Sequence, residues 1–400
     1  MNPPSLLNAA LRWFLLGMVV ANIASEMVFA FLPVYLTRLG ASVAEVGLVF
    51  SVASVVPLAL QILGGWLSDS IGRLRTIALG ALGGSLGYIG FVLAPSWEWV
   101  LLALGFEYIS GSLVGPSYSA FIAEQSSANT RGQVFGIVNG IYLVVRVVGP
   151  ALGGFLAGRY GFEVMLTAAC VLYLSATALR VWMATTVRLS GEVKAQALTF
   201  ESLRARLGAM AALVLSGSVL TWVFVTDGVR DVASQLSRDM VPIYFAQVGG
   251  LSVEQIGWLA SAYSLATMLI AWPAGWIADK RGERQTIAAG FFLQFLGLAV
   301  FLLSQGFWGF ATAVFTGGLG VGIMAPAYQS FISKVVPQDS RGIAFGLFES
   351  SLGVISLPAP WLGGQLWQRF SPRTLFAITA GALLVAILPV WTKFKIMPNC

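Results

Sequence analysis

The sequence predicts an all-α membrane protein with twelve transmembrane helices in two pseudo-symmetric six-helix halves. Three observations predict it: composition, the spacing of apolar runs, and an internal repeat. Hydrophobic residues make up 57% of the 400 residues and charged residues 10%, with a mean hydropathy of +0.82. Soluble domains carry nearer a quarter charged residues, so too few charges are present to cover a globule of this size with a wettable surface. Lipid is the solvent this chain expects. A spanning helix needs roughly 20 apolar residues, and twelve of them use about 240.

Apolar runs broken by short polar or Gly/Pro turns fall at 8–37, 45–67, 75–94, 98–122, 133–158, 163–185, 211–246, 254–277, 285–304, 306–332, 341–367 and 372–392. These are segments 1 to 12. The first has Arg12 near its start and reads as a retained helix rather than a cleaved signal. One long polar stretch, 186–210, carries Arg188, Glu192, Lys194, Glu201, Arg204 and Arg206. It reads as a cytoplasmic linker between an N-terminal half, 1–185, and a C-terminal half, 211–400.

Charge placement supports this layout. With a cytoplasmic N-terminus, fifteen of the 23 Lys and Arg fall on the inner side and four (Arg38, Arg159, Arg369 and Arg373) on the outer side. The other four, Arg146, Arg180, Arg230 and Arg238, lie within segments. Such a bias is what orients membrane helices. The net charge of +6 therefore sets topology, and no nucleic-acid partner is expected. The expected location is the cell (inner) membrane, multi-pass, with both termini cytoplasmic.

Further function classes are excluded by what is missing. There is no His, and the two Cys are Cys170 and Cys400. Zinc sites, Ser-His-Asp triads, Cys-His nucleophiles and disulfide frameworks are all disfavoured. No phosphate-binding G-x-x-x-x-G-K-[ST] loop is present to drive ATP-powered work. Neither an enzyme nor a bound cofactor or metal is expected.

The halves repeat at an offset of 210 residues. Gly65, Trp66, Asp69, Gly72 and Thr76 match Gly275, Trp276, Asp279, Gly282 and Thr286. Pro116, Tyr118, Phe121 and Ile122 match Pro326, Tyr328, Phe331 and Ile332. Arg131, Gly132, Phe135 and Gly136 match Arg341, Gly342, Phe345 and Gly346, and Pro150, Gly153 and Gly154 match Pro360, Gly363 and Gly364. At an offset of 209, Pro33 and Tyr35 match Pro242 and Tyr244. An even number of spans per half relates the halves by an axis along the membrane normal, an arrangement that puts a site between two rocking halves.

The segment Gly65-Trp66-Leu67-Ser68-Asp69-Ser70-Ile71-Gly72-Arg73 resembles the signature loop of the major facilitator superfamily (MFS). Gly275 to Gly282, with Asp279, is a degraded copy. The resemblance extends over the whole chain in segment count, linker position and repeat. It implies the MFS fold and solute transport by alternating access. It also implies that the loop (Gly65, Asp69, Gly72, Arg73, with Gly275, Asp279 and Gly282) latches one conformation. Gly65 and Gly72 permit close packing and a tight turn, and Asp69 can pair with Arg73 or face a helix N-terminus. The alternative is a plain helix cap. Gly149, Pro150, Gly153 and Gly154 resemble a stretch associated with antiporter branches and are repeated by Pro360, Gly363 and Gly364. That stretch is either an antiporter mark or a kink that any rocking bundle needs. Many drug/proton antiporters of the superfamily carry an Arg where Glu107 stands here, so their coupling scheme does not transfer residue by residue.

Ionisable groups inside the bilayer are costly and mark function by default. The candidates are Glu26, Glu107, Arg146, Asp227, Asp231, Arg238 and Glu349, with Arg230 and Asp239 nearby. Glu107 and Arg146 lie about 13 and 20 Å along their helices, both near mid-membrane, and can meet as a pair that is either functional or structural. Asp227, Asp231 and Arg238 share a face of segment 7, and Asp227–Arg230 is an i, i+3 pair. A break at Gly228 is the alternative. Arg180 is read as snorkelling to the interface. The nine candidates sum to six acids and three arginines, which favours protons or a cationic solute. The resemblance places segments 1, 4, 7 and 10 along a cavity, favouring Glu26, Glu107 and Asp231. The expected activity is secondary transport of a small organic molecule, coupled to protons and directed outward. The alternatives are a symporter or uniporter for a metabolite such as a sugar or organic acid, or a sensor that moves nothing. A monomer is expected, because one chain carries both halves.

Overall fold

A computed structural model of the chain describes residues 7–127, 130–187, 219–335 and 353–394. Among the described residues there is no strand. Segment 1 is α1 (Ala9–Phe29) and α2 (Leu32–Arg38), and segment 2 is α3 (Val43–Ala53) and α4 (Val55–Ile71). Segments 3 to 6 are α5 (Arg73–Leu93), α6 (Trp97–Glu124), α7 (Arg131–Tyr160) and α8 (Phe162–Thr186). Segment 7 holds α9 (Val219–Arg238) and α10 (Val241–Gln247). Segments 8 to 10 are α11 (Val253–Arg281), α12 (Glu283–Leu303) and α13 (Gly306–Val335). Segment 11 holds α14 (Gly353–Ser356) and α15 (Ala359–Arg369), and segment 12 is α16 (Pro372–Lys393). Ten of the described helical stretches are long and apolar enough to cross a membrane. Segments 7 and 11 fall partly outside the described residues, as does the linker 186–210 beyond residue 187.

The chain divides into two compact units. The first comprises residues 1–42, 49–197 and 252–261, and the second residues 43–48, 198–251 and 262–400. Their internal plans match. In the first, α1 packs on α7 and α8, and α5 on α6 and α8. In the second, α9 packs on α15 and α16, and α12 on α13 and α16.

The repeat is legible at the level of single core side chains. Phe14, Ile77, Phe121 and Ile122 sit in one buried cluster. Phe224, Ile287, Phe331 and Ile332, each 210 residues later, sit in another. Phe14 lies 4.3 Å from Phe121 between ring centroids.

Glycine decides how closely the helices approach. A Cβ on Gly87 of α5 would lie 2.7 Å from the Ala103 carbonyl oxygen of α6, and one on Gly90 2.9 Å from the Ala103 Cβ. In the second unit, a Cβ on Gly297 of α12 would lie 2.9 Å from the Ala313 carbonyl oxygen and 2.8 Å from the Gly317 nitrogen of α13. Without a hydrophobic drive between helices in lipid, close van der Waals packing of this kind holds them together.

Prolines mark the breaks. Pro33 and Pro242 fall in the first turn of α2 and α10, where a missing N–H costs nothing. The repeat fails at segments 5 and 11. Helix α7 runs unbroken through Pro150, whereas the chain breaks between α14 and α15, with Pro360 in the first turn of α15. Pro358 provides the cause, because the equivalent position in α7 is Val148. Pro150 thus lies inside a helix in one unit, whereas Pro360 lies at a helix start in the other.

Gly87→Val is expected to lower stability by about 1–3 kcal/mol through overpacking, read as a lowered unfolding midpoint in detergent. Gly83→Val is the control, since nothing lies within 4 Å of a Cβ there, and surface changes of that kind stay within about 0.5 kcal/mol. Equal midpoints for the two variants would contradict a glycine-set seam.

Candidate functional site

Glu26 stands on α1, where it meets α7. A Cβ on Gly149 would collide with the Glu26 Cβ, and one on Gly153 would lie 2.7 Å from the Met27 carbonyl oxygen. These two glycines let α7 lie directly on the backbone that carries Glu26. One turn before Gly149, Arg146 reaches across, its Nε 3.7 Å from Glu26 Oε1. Both side chains keep partial access, 38% for Arg146 and 25% for Glu26. Pro150 has no N–H for the Arg146 carbonyl four residues back, so the helix is weakened where this pair sits. Ser261 donates to the next carbonyl, Val147, at 2.7 Å. In the second unit, a Cβ on Gly363 would collide with the Leu236 carbonyl of α9, and Gly364 approaches Ala44.

Arg146 is thus the partner of Glu26, and the Glu107–Arg146 pair expected from equal depth does not form. Glu107 faces α5, with its nitrogen 3.2 Å from a Cβ built on Gly87. Its charge interacts with Arg180 of α8 and with Tyr88 and Tyr173. Arg180 therefore does not snorkel away from the bundle. It hydrogen-bonds Tyr173, and its guanidinium carbon lies 5.9 Å from that ring. Around this pair runs a polar seam. Tyr88 stacks on Tyr173 at 4.1 Å between centroids. The Tyr173 and Ser110 hydroxyls are 3.0 Å apart, and Ser85 donates to Thr177 at 3.0 Å. The sequence reading missed Arg180, Tyr88 and Tyr173 as members of a charged site. The signal available was an Arg and two Tyr inside apolar segments.

In α9, Asp227 is 1% exposed and accepts from Arg230 at 2.7 Å. The i, i+3 pairing forms, and α9 is continuous through Gly228. Tyr328 of α13 interacts with both charges and bonds Thr226. Asp231 is half-buried one turn on, whereas Arg238 is exposed in the last turn of α9, beside Asp239. The Asp227–Arg238 face is therefore divided into an interior acid–arginine pair and a pair at the helix end. Glu349 lies outside the described residues.

At the signature loop, Gly72 has φ +96° and Gly282 φ +86°. This is the left-handed region that a side chain resists, so both loops turn on glycine. The close packing expected at Gly65 falls one residue earlier. A Cβ on Gly64 would collide with the Ser112 carbonyl, while among the described residues nothing lies within 4 Å of one on Gly65 or Gly275. Arg73 pairs with Asp69, donates to Glu124 at 2.9 Å and to Ser68 at 3.0 Å. In the second unit, Glu283 pairs with Lys334 and accepts from Ser330 at 2.9 Å. Positions 73 and 283, and 124 and 334, are repeat equivalents at the 210 offset. The two units bridge the same two positions with opposite polarity. Asp279 is exposed.

Arg73→Glu alone is expected to cost about 1 kcal/mol of stability, and Arg73→Glu with Glu124→Lys to regain part of it, as measured in a double-mutant cycle. Strictly additive effects would show that the bridge contributes nothing.

Comparison with known proteins fits this geometry. A sequence profile described as Major Facilitator Superfamily matches residues 14–234 and 232–398. The chain is 25% identical to the multidrug resistance protein MdtG of Citrobacter koseri, over 97% of this chain and 95% of that one. It is also 25% identical to the multi-drug resistance efflux pump PmrA homolog of Lactococcus lactis subsp. lactis, over 96% and 94%. Among solved structures, a mutant of the nucleoside transporter NupG superposes with a TM-score of 0.77 at 16% identity, covering 97% of this chain and 100% of that one. A mutant of the peptide transporter POT gives 0.76 at 16% identity, over 95% and 93%. With the profile matched over both halves and ten described helices able to span a membrane, the chain belongs to the Major Facilitator Superfamily and is an integral, multi-pass membrane transporter.

Proposed function

We propose that this transporter exports a small organic molecule, best matched by a cationic one, in exchange for protons. The observation that carries the reading is the Glu26–Arg146 pair. It is held at 3.7 Å by helices touching at Gly149, and both side chains remain partly accessible. A proton on Glu26 neutralises the carboxylate and loosens its hold on Arg146. A cationic solute competes with Arg146 for the same carboxylate. Proton and solute then exclude each other at one group, which is the requirement for antiport. The Glu107–Arg180 and Asp227–Arg230 pairs are further acid–arginine couples for the same chemistry. The printed names of two relatives, a multidrug resistance protein and an efflux pump, support outward transport. In this reading the chain works as a monomer in the cell (inner) membrane, with both termini cytoplasmic and the 186–210 linker on the same side.

The test is purified protein in liposomes loaded with a pH dye, challenged with cationic, neutral and anionic compounds. Proton movement driven by cationic compounds is expected, and Glu26→Gln should abolish it while leaving the protein monodisperse. Solute flux without proton movement would overturn the antiport reading in favour of a uniporter. Counterflow at two pH values separates antiport from symport. In unfolding midpoint, Arg146→Gln combined with Glu26→Gln is expected to be no worse than either alone. Additive losses would contradict a shared site.

A further inference from the structure

The groove where α11, α12 and α13 meet at the basic end of the second unit has a charge pattern that efflux chemistry does not use. It encloses about 370 Å³ and is lined by Trp276, Lys280, Arg281, Gln285 and Ala289, with Ile323 on its floor. Its mouth is cationic. Lys280 and Arg281 are exposed, and among the described residues neither makes an ion pair. Lys280 lies 4.1 Å above the Trp276 ring, which fixes the ammonium over the opening and leaves its outer N–H groups available. Arg284, stacked 4.9 Å from Trp391, adds a third positive charge against two acids on this turn, Asp279 and Glu283. Glu283 is already tied to Lys334 and Ser330.

Below the mouth the walls become apolar. Along α12 the exposed face continues from Gln285 through Ala289 to Phe292 and Leu296, and along α11 from Trp276 back to Trp272 and Leu269. Trp272 is 94% exposed. The surface is thus cationic and polar at one end and apolar for several turns beneath, with tryptophan at the boundary, as befits a membrane interface. A phospholipid with a net negative headgroup matches both parts at once. Basic pockets between helices at the membrane surface recognise such headgroups.

The internal repeat provides a comparison within the same chain. At the positions equivalent to Lys280, Arg281 and Ala289, the first unit has Ser70, Ile71 and Leu79. Both charges are absent there, Arg75 stands at the place of Gln285, and the wall residue that leaves room in the second unit is replaced by a bulky one. The Lys280–Arg281 pair beside a small Ala289 belongs to the second unit.

We propose that this groove is a binding site for one anionic phospholipid, with the phosphate held by Lys280, Arg281 and the Gln285 amide and the acyl chains laid along the Ala289–Phe292–Leu296 face. The site is separate from the Glu26–Arg146 pair and does not depend on what the transporter carries.

The test is native mass spectrometry of the full chain released from nanodiscs of equal parts phosphatidylglycerol and phosphatidylcholine. Wild type is expected to retain phosphatidylglycerol in preference to phosphatidylcholine. Lys280→Gln with Arg281→Gln should weaken that retention about thirtyfold, given the attraction expected for two charges near the surface. Ala289→Leu, which copies the first unit and keeps both charges, should also remove it by filling the groove. Each variant is first checked for a wild-type unfolding midpoint in pure phosphatidylcholine. Three results would overturn the proposal: no preference for the anionic lipid in wild type, wild-type retention of phosphatidylglycerol by either folded variant, or a rise in unfolding midpoint with inorganic phosphate alone in lipid-free detergent that matches the rise with phosphatidylglycerol.

Discussion

The Glu26–Arg146 contact between α1 and α7 depends on helix backbones being able to touch. In lipid there is no water to squeeze out from between helices, so association rests on van der Waals contact and on the few polar groups that meet. A side chain at Gly149 would push α7 off α1, and Glu26 and Arg146 would then be separate charges in a poor solvent. An isolated charge in the bilayer is expensive, and pairing is what makes it tolerable. The glycines therefore do more than fill space. They set the separation at which an acid on one helix finds an arginine on the next. Gly87 does the same for Glu107, whose backbone sits directly beneath it.

Duplication has preserved geometry more strictly than chemistry. Phe14 and Phe224, or Phe121 and Phe331, fill equivalent places in their own cores. Gly72 and Gly282 hold the same left-handed turn. The ion pairs over those turns kept their positions and exchanged their signs. The break at Pro358 and the Lys280–Arg281 pair belong to one half alone. Shape recurs where backbones touch, and the halves diverge where side chains meet solvent, solute or lipid.

Much of this was legible in the sequence. Periodic apolar runs located ten segments that the described residues show as candidate spans, because lipid forces backbone hydrogen bonds to close within each helix. The repeat located both glycine turns. The Asp227–Arg230 pair could be read because it lies within one helix, where spacing fixes direction. Pairs between helices were not legible. Depth placed Glu107 level with Arg146, but depth says nothing about the way each helix is rotated. Arg146 points to α1 and Glu107 to α5. Arg180 was misread because distance from a helix end does not reveal whether a neighbour offers an acid. The inverted bridges are hidden in the repeat because Arg73 and Glu283, and Glu124 and Lys334, are not alike. The break at Leu357 and Pro358 is not legible in the repeat, because Pro360 recurs from Pro150 whereas Pro358 has only Val148 as its counterpart.

The opposite polarity of the bridges at 73–124 and 283–334 limits how the two halves can trade parts. Each half is electrically self-consistent, so a whole half could be copied in place of the other without setting like charges together at these positions. A single helix could not. Transplanting α13 into the place of α6 would set Lys334 against Arg73, and the reverse exchange would set Glu124 against Glu283. At this bridge the unit of exchange is the half rather than the helix, and any drift in one member of a bridge commits its partner as well.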